Sequence, residues 1–453
     1  MPSAWFAACS LALSLSQPAP APFPYPEGAG IDFRNQTNQG VALVAGGEGT
    51  TEIGEWDGVR CLQTSAAEQA YYVYLQIPGD FIRPGRDTLT FEVEYLDNGR
   101  GPVLLQVESA LPCIAIGGFS YRVAGQLWRA GSGRWRTARW QVTDEAFADP
   151  ARQAVRFRLF AEEWVPGDRT LRVASVRVSH AAIRMEPEHQ VLLCRGTTSV
   201  HLGAFDPAGE PLPDGTPVAL RVRRDPAALT VPEAVLLQNG EATFEVAAGA
   251  EAGSARLVAS TGDLRAELPL HVVEGAGEVA EQTVEIAAAE LAQGAGIAGE
   301  TTGPSTVELL QDENGVDVLA CSFTGKTDRP GEDLVLELNA PIPGLPERFC
   351  VMAGSDDQSV ESLLVDLTDR DGEVFVYVLK PLVFGQLDPF AELQLDCRAR
   401  SYPTYGARKL NMVMDLPCTF ARVRARLKEG LPEGHLRLWG VRCDVEAPLE
   451  RAP

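Results

Sequence analysis

Residues 88–96, TLTFEVEYL, alternate apolar and polar side chains with the period of two that is typical of a half-buried β-strand. The same alternation recurs before and after this stretch. It is found in YYVYLQI at 71–77, VLLQVES at 103–109, RWRTARWQV at 134–142, AVRFRLF at 154–160 and TLRVASVRVS at 170–179. Turn sequences such as Asn98-Gly99 separate the runs, and no long helical pattern lies between them. This organisation predicts a sandwich of antiparallel β-sheets.

The composition of the chain agrees with an all-β fold. Of 453 residues, 45% are hydrophobic and 22% are charged, which is close to the average for globular proteins. The 43 glycines and 32 prolines favour many short strands joined by turns. The 39 Lys and Arg residues against 62 Asp and Glu residues give a net charge of −23. Because binding to nucleic-acid phosphates needs clustered cations, we expect no nucleic-acid partner.

The N-terminal residues predict export. An apolar run at 5–16, WFAACSLALSLS, is followed by the A-x-A-like sequence Pro18-Ala19-Pro20-Ala21, so residues 1–21 are interpreted as a signal peptide and 22–30 as a Pro-rich linker. No Lys or Arg precedes the run, which is unusual for a signal peptide. No later stretch is apolar over the length that a membrane-spanning helix needs, so we expect no membrane span. The expected location is extracellular or at the cell surface, with the periplasm as the alternative, and association with the cell envelope through a bound partner remains open.

Strand patterns divide the remaining chain into three predicted domains and a tail. The first spans 31–180, the second 183–274 and the third 278–446, and residues 447–453 form the tail. The second region contains seven shorter strand-like runs, and the third contains nine. The predicted fold class is therefore all-β, with three β-sandwiches in series.

Two regions resemble known modules of exported proteins. GRWRTARWQVTDEAFAD at 133–149, with YLDNGRG at 95–101 before it, resembles the galactose-binding-like jelly-roll modules that occur beside glycoside hydrolases and in exported bacterial proteins. PDGTPVALRV at 213–222, followed by NGEATFEVAAGAEAGSARLVA at 239–259, resembles the bacterial Ig-like domains of invasin-type surface proteins. The first resemblance implies a carbohydrate-binding-module-like sandwich whose ligands meet loops at one edge, and the second implies a spacer.

The third region resembles the first. LTDRDGEVFVYVL at 367–379 and LRLWGVRCDV at 436–445 are similar to a second galactose-binding-like sandwich, so the resemblances together imply the order jelly roll, Ig-like, jelly roll. Arg83-Pro84-Gly85 precedes the strand TLTFEV, and Arg329-Pro330-Gly331 precedes the strand LVLEL. This echo indicates that the first and third regions are related modules.

Aromatic side chains in predicted loops are the candidate ligand-binding residues. Aromatic ring faces stack on the apolar face of a pyranose and leave its hydroxyl groups for polar partners. Aromatic residues within the strands are interpreted as core. The loop candidates are Trp56, Trp128, Trp164, Tyr402 and Tyr405.

A cluster of acids around the turn DRDG is the candidate metal site. Carboxylate oxygens are the ligands that Ca²⁺ prefers, and galactose-binding-like sandwiches often hold a structural calcium ion. The cluster comprises Asp366, Asp369, Asp371 and Glu373. Its spacing does not match an EF-hand loop, so the sequence allows a structural Ca²⁺ without specifying it.

Cysteine and histidine spacings give no other metal site. After removal of Cys9 with the signal peptide, eight cysteines remain, and the sequence is compatible both with disulfide bonds and with buried reduced thiols. No C-x-x-C, H-x-H or H-E-x-x-H motif occurs.

The sequence predicts a secreted, non-catalytic binding protein with carbohydrate as its partner. No nucleophile motif or catalytic constellation is present, so we do not predict an enzyme. Two alternatives remain open. One is a cell-surface structural protein or adhesin with protein partners. The other is a glycan-active hydrolase whose two carboxylates meet only in the folded chain.

Overall fold

The structure is a computed structural model. It describes residues 25–44, 51–64, 72–83, 85–109, 111, 115–116, 119–149, 151–161, 170–223, 229–298, 305–324, 334–355, 357–379, 387–398, 414–427, 431 and 433–449. Within these ranges the chain is almost entirely β-strand, with one α-helix of seven residues. The all-β prediction is confirmed.

The first sandwich contains thirteen strands. They are β1 (Ala29–Asp32), β2 (Thr37–Gln39), β3 (Ala42–Leu43), β4 (Thr51–Trp56), β5 (Val59–Thr64), β6 (Tyr72–Pro78), β7 (Thr88–Asp97), β8 (Gly101–Glu108), β9 (Ala115–Ile116), β10 (Phe119–Arg129), β11 (Arg134–Thr143), β12 (Ala154–Ala161) and β13 (Arg172–Ser179). Two short 3₁₀ turns, Gly79–Phe81 and Glu145–Phe147, lie between strands.

Two sheets enclose the core of this sandwich. One has the order β11-β7-β13-β1-β2, with β5 also pairing β13 and β4 pairing β5. The other has the order β3-β6-β12-β8-β10-β9. The alternation seen in the sequence decides which side chains enter the core. Val73, Leu75 and Ile77 of β6 are buried between the sheets, and each contributes about 1.5–3 kcal/mol of hydrophobic stabilisation.

The second sandwich contains nine strands in two sheets. They are β14 (Ala182–Pro187), β15 (Val191–Leu193), β16 (Thr197–Phe205), β17 (Pro217–Arg223), β18 (Leu229–Thr230), β19 (Ala234–Leu236), β20 (Glu241–Ala248), β21 (Gly253–Thr261) and β22 (Leu264–Val273). The sheet orders are β14-β16-β20-β18 and β15-β22-β21-β17-β19. The Ig-like assignment of this region stays a prediction.

The third sandwich contains eleven strands and the helix. They are β23 (Val279–Ala287), α1 (Ala288–Gly294), β24 (Gly296–Ala298), β25 (Thr306–Gln311), β26 (Asp317–Thr324), β27 (Leu334–Ile342), β28 (Leu345–Gly354), β29 (Val360–Thr368), β30 (Val374–Leu379), β31 (Ala391–Asp396), β32 (Cys418–Leu427) and β33 (Glu433–Pro448). One sheet has the order β25-β26-β33-β28-β31, with β23 also pairing β33, and the other has the order β24-β27-β32-β29-β30.

The first and third sandwiches share a core topology, to which the first adds β2 and β9. The order β3-β6-β12-β8-β10 of the first corresponds, strand for strand along the chain, to β24-β27-β32-β29-β30 of the third. In the opposite sheets, β13 and β33 take equivalent places, because β13 pairs β7, β1 and β5 while β33 pairs β28, β23 and β26. The chain thus builds one strand arrangement twice, with different side chains.

The sequence echo between the two sandwiches does not mark equivalent strands. The first copy, Arg83-Pro84-Gly85, precedes β7, whereas the second precedes β27. Strand β27 is the counterpart of β6, so the echo is displaced by one strand. The similarity of the two sandwiches therefore lies in strand order and not in this motif.

Direct contacts join consecutive sandwiches. Arg83 pairs with Glu210 at 2.8 Å, and the Arg86 guanidinium lies over the Phe205 ring at 4.1 Å. His180 is buried at this boundary, where its ring stacks on Phe81 with centroids 4.7 Å apart. The second sandwich is thus packed against the first in addition to being linked to it.

The cysteines that the structure describes are free thiols. They are Cys61, Cys194, Cys321, Cys350, Cys397, Cys418 and Cys443. Burial raises the pKa of Cys321 and of Cys418 to about 12, so both are neutral hydrophobic groups of the core. None of the helices in the described ranges has the length and hydropathy of a membrane-spanning segment.

Candidate functional site

The outer face of the six-stranded sheet in the first sandwich carries an aromatic and polar cluster. On β6, Tyr72, Tyr74 and Gln76 alternate with the core residues and therefore point away from the core. Arg158 on the central strand β12 lies directly opposite Tyr74 on β6 and Gln106 on β8. We call Tyr72, Tyr74, Gln106, Tyr121 and Arg158 the tyrosine–arginine face.

Arg158 is the centre of this face. Its Nε donates a hydrogen bond to the Gln106 side-chain oxygen at 2.5 Å, and its Nη1 donates to the Tyr74 hydroxyl at 3.0 Å. The guanidinium carbon lies 4.2 Å from the ring centroid of Tyr72, 4.7 Å from that of Tyr121 and 5.7 Å from that of Tyr74. Rings and guanidinium hold each other in place through cation–π contacts.

The face has a buried floor and a half-buried rim. Arg158 is 4% exposed, Gln106 6% and Tyr121 7%. Tyr72 and Tyr74 are half-buried, as is Phe160, whose ring centroid lies 4.9 Å from that of Tyr72. Burial raises the pKa of Tyr121, against the opposing effect of Arg158. The Tyr121 phenol therefore keeps its hydroxyl hydrogen at neutral pH.

The Arg158 charge has no carboxylate partner within the described part of the chain. Glu108, which lies opposite Tyr121, is instead paired with Arg152 at 3.0 Å. A buried charge is costly unless it is paired, because several kcal/mol of hydration is lost per ion. A guanidinium held by neutral groups alone is therefore an unusual feature of this sheet.

The equivalent place in the third sandwich contains acids. Arg422 on β32 lies opposite Glu337 on β27 and Asp366 on β29, which are the counterparts of the strands that carry Tyr74 and Gln106. Asp366 is fully buried, and its carboxylate is 2.7 Å from Arg424 and 3.4 Å from Arg422. Both sandwiches thus place an arginine on this strand, opposite Glu337 and Asp366 in the third and opposite Tyr74 and Gln106 in the first.

The predicted ligand-binding aromatics are dispersed. Trp56 is 43% exposed at the end of β4, in the opposite sheet, and the Arg172 guanidinium lies 4.1 Å from its ring. Trp128 is 39% exposed on β10, opposite Pro102. The other three candidates, Trp164, Tyr402 and Tyr405, lie outside the described residues.

The predicted calcium ligands do not gather around a metal position. Asp366 is engaged by arginines, as described above, and Asp371 is 3.5 Å from Arg370. Asp369 closes its own turn by accepting hydrogen bonds from the backbone N–H groups of Asp371 at 2.9 Å and Glu373 at 2.8 Å. Across the described ranges, no three His, Cys, Asp or Glu side chains are arranged to hold a metal ion.

The tyrosine–arginine face was not predicted from the sequence, because aromatic residues within strands were assigned to the core. The signal was present in YYVYLQI and AVRFRLF, where one phase of the alternation is apolar and the other carries tyrosines in the first stretch and arginines in the second. A strand on the surface of a soluble protein rarely needs aromatics on its solvent phase, so this phase marks a candidate site.

A cleft of about 1040 Å³ lies where the three sandwiches meet. Glu446 of β33 is buried in its wall and accepts hydrogen bonds from the backbone N–H groups of Gln190 at 2.9 Å and Val191 at 3.2 Å. It also contacts Nδ1 of His189 at 2.8 Å. Burial raises the pKa of Glu446 and of the nearby Glu347. Glu446 thereby joins the second and third sandwiches.

Comparison with known proteins gives fold likenesses only. No protein-family model matches the chain, and no curated protein matches it. The family 11 carbohydrate-binding module of the cellulase Lic26A-Cel5E from Clostridium thermocellum has a TM-score of 0.26 and 13% identity, over 39% of this chain and 100% of that one. The tandem CBM22 modules of Xyn10C from Paenibacillus barcinonensis have a TM-score of 0.22 and 10% identity, over 91% of this chain and 96% of that one. A triple jelly-roll protein of an archaeal virus turret has a TM-score of 0.20 and 10% identity, over 96% of this chain and 99% of that one. Likeness at this level assigns no ligand to the chain.

Proposed function

We propose that the protein is a non-catalytic carbohydrate-binding protein that acts outside the cytoplasm. The observation that carries the proposal is the tyrosine–arginine face, where Arg158 is fixed between tyrosine rings on one face of a rigid sheet. Half-buried rings offer stacking surfaces to a pyranose, and Gln106 and Arg158 offer hydrogen-bonding groups to its hydroxyls. Side chains locked by mutual contacts bind with a smaller loss of conformational entropy.

The binding site belongs to the first sandwich in this proposal, and the third sandwich has a structural role. In the third sandwich, the equivalent sheet face is occupied by the buried ion pairs of Asp366 and by the valines Val376 and Val378. These described side chains of the face include no tyrosine or other aromatic ring on which a sugar could stack. This replaces the expectation of two binding sandwiches separated by a spacer.

A glycan-binding panel tests the proposal. The 453-residue chain is incubated with soluble oligosaccharides and insoluble polysaccharides, and the bound fraction and any released sugars are measured. Tyr74→Ala should weaken binding at least tenfold, because it removes a ring and a hydrogen bond to Arg158. Trp56→Ala is the matched control, since Trp56 is an exposed aromatic of the opposite sheet, and it should bind as the parent does.

The other outcomes separate the alternatives. If no glycan binds, the carbohydrate proposal fails and a structural or adhesin role gains support. If sugar is released, the protein is a hydrolase, and the carboxylates of the three-sandwich cleft become the first positions to test. If Trp56→Ala abolishes binding and Tyr74→Ala does not, the site lies at the sandwich edge and not on the tyrosine–arginine face.

A further inference from the structure

We propose that the tyrosine–arginine face selects an acidic glycan, a polymer whose sugars carry uronic-acid carboxylates. The inference rests on the proposed function and specifies its ligand class. In the bound state, one ligand carboxylate pairs with the guanidinium of Arg158 while the sugar ring stacks on the rim of the face. The ligand thereby supplies a counter-charge that no described residue of the chain provides.

The hydrogen bonds of Arg158 leave room for such a partner. A guanidinium has five N–H donors in a planar fork that matches the two oxygens of a carboxylate. Nε donates to Gln106 and Nη1 to Tyr74, whereas Nη2 makes no hydrogen bond to a described residue. The remaining donors therefore lie within a nearly buried group, in surroundings where a charge-assisted hydrogen bond is stronger than in water.

The third sandwich shows what an arginine at this place ordinarily requires. There the strand equivalent to β8 carries Asp366 opposite Arg422, and the strand equivalent to β6 carries Glu337. In the first sandwich both positions are neutral, with Gln106 and Tyr74. The same strand arrangement therefore contains an internal carboxylate in one copy and lacks it in the other. A ligand carboxylate at Arg158 would complete the same kind of ion pair.

The charge of the surrounding residues agrees with an anionic ligand. Arg156 lies two residues from Arg158 on β12 and is half-buried on the same side of the sheet. Among the described residues, Glu108 lies beside the face, opposite Tyr121, and its charge is balanced by an ion pair with Arg152. The chain as a whole has a net charge of −23 and repels polyanions, so binding of an acidic polymer requires a local cationic site.

Matched ligands test the inference. Oligomers of galacturonan, mannuronan and glucuronan are each compared with the same oligomer after chemical reduction of its carboxylates to primary alcohols. Affinities of the 453-residue chain are measured by isothermal titration calorimetry. We expect at least one acidic oligomer to bind ten times or more tightly than its reduced counterpart. Arg158→Gln should remove this preference, and Arg158→Lys should retain only part of it, because an ammonium group does not match a carboxylate bidentately.

The control variant is Arg426→Gln, which alters an exposed arginine on β32, the strand equivalent to β12, and should leave the preference unchanged. Equal affinity for the acidic and reduced oligomers overturns the inference and leaves the proposed function standing. Absence of binding to all six ligands also overturns it, and the broader glycan panel then decides the proposed function separately. The comparison of ligands on the unmodified protein does not depend on whether the Arg158 variants fold.

Discussion

Replacing a buried arginine by methionine should have different consequences for stability on β32 and on its counterpart β12. Arg424→Met in the third sandwich takes from the fully buried Asp366 the guanidinium that lies 2.7 Å from its carboxylate, while Arg422 remains 3.4 Å away. Removing one partner of a buried ion pair costs about 3–5 kcal/mol, and the remaining arginine places the expected loss near the lower end, at about 3 kcal/mol. The reason for the cost is the uncompensated carboxylate, and the lost contact itself contributes less.

Arg158→Met in the first sandwich leaves no described carboxylate without a partner. The variant loses the cation–π contacts, worth about 0.5–2 kcal/mol, and leaves the buried Gln106 oxygen without its donor, at a cost of about 1–3 kcal/mol. Against this, the desolvation cost of a buried cation, several kcal/mol, disappears. We therefore expect the free energy of unfolding of the first sandwich to change by no more than about 1 kcal/mol, the net of these opposing contributions.

Hydrogen–deuterium exchange with mass spectrometry measures both effects, because it reports on each sandwich separately in a chain that need not unfold in one step. Exchange of amides on β32 should accelerate by about a hundredfold in Arg424→Met, since each tenfold corresponds to about 1.4 kcal/mol. Exchange of amides on β12 should change less than about tenfold in Arg158→Met. If Arg158→Met loosens its sandwich as much as Arg424→Met loosens the other, Arg158 serves the fold in the same way, which contradicts its assignment to a ligand.

Two further predictions concern buried titratable groups. Burial lowers the pKa of His180 to about 4, so the folded chain disfavours its protonation. The contribution of neutral His180 to the free energy of unfolding should therefore be fully present above pH 6.5 and decrease by about 3 kcal/mol as the pH drops to 4. In urea denaturation measured over this pH range, His180→Phe should remove most of the decrease. Burial raises the pKa of Asp97, but hydrogen bonds from Ser132 and the backbone N–H groups of 130–132 outweigh it and lower the pKa overall. The Asp97 carboxylate thus stabilises the fold at any pH above the pKa that it has in the unfolded chain, and this stabilisation is lost as the pH falls through its lower pKa in the folded chain. Asp97→Asn should remove this dependence on acid pH and lower the free energy of unfolding by about 1–3 kcal/mol in denaturation at pH 7.

The sequence was a good guide to strands because the alternation of side chains is a local property. Each core residue of β6 and β7 could be identified from its phase, and Phe157, assigned to the core, is fully buried. Strand order could not be obtained in the same way, because pairing joins distant segments such as β12 with β6 and β8. The duplication of topology between the first and third sandwiches became visible only when these pairings were known.

The candidate site was harder to predict, since its residues come from four strands. Tyr72 and Tyr74 lie on β6, Gln106 on β8, Tyr121 on β10 and Arg158 on β12. Isolated aromatics in predicted loops, such as Trp56, were conspicuous in the sequence, but the exposure of one ring does not identify the groups beside it. The turn acids at 366–373 were likewise close in sequence, and the fold directs them to different partners, an arginine for Asp366 and backbone N–H groups for Asp369.

The comparison of the two sandwiches shows where function can change while a fold stays the same. In both copies the central strand of one sheet carries arginines, and the neighbouring strands decide what those arginines contact. In the third sandwich, Asp366 on the neighbouring strand forms an ion pair with the arginines within the protein. In the first sandwich, Gln106 only accepts a hydrogen bond from Arg158, so the positive charge of Arg158 can pair with a ligand. Replacing Gln106 by Glu should therefore make the first sandwich resemble the third. We expect Gln106→Glu to pair with Arg158 and to abolish the preference for acidic oligomers in calorimetry while preserving the fold. A Gln106→Glu variant that still distinguishes acidic from reduced ligands would show that the charge of Arg158 is not what they recognise.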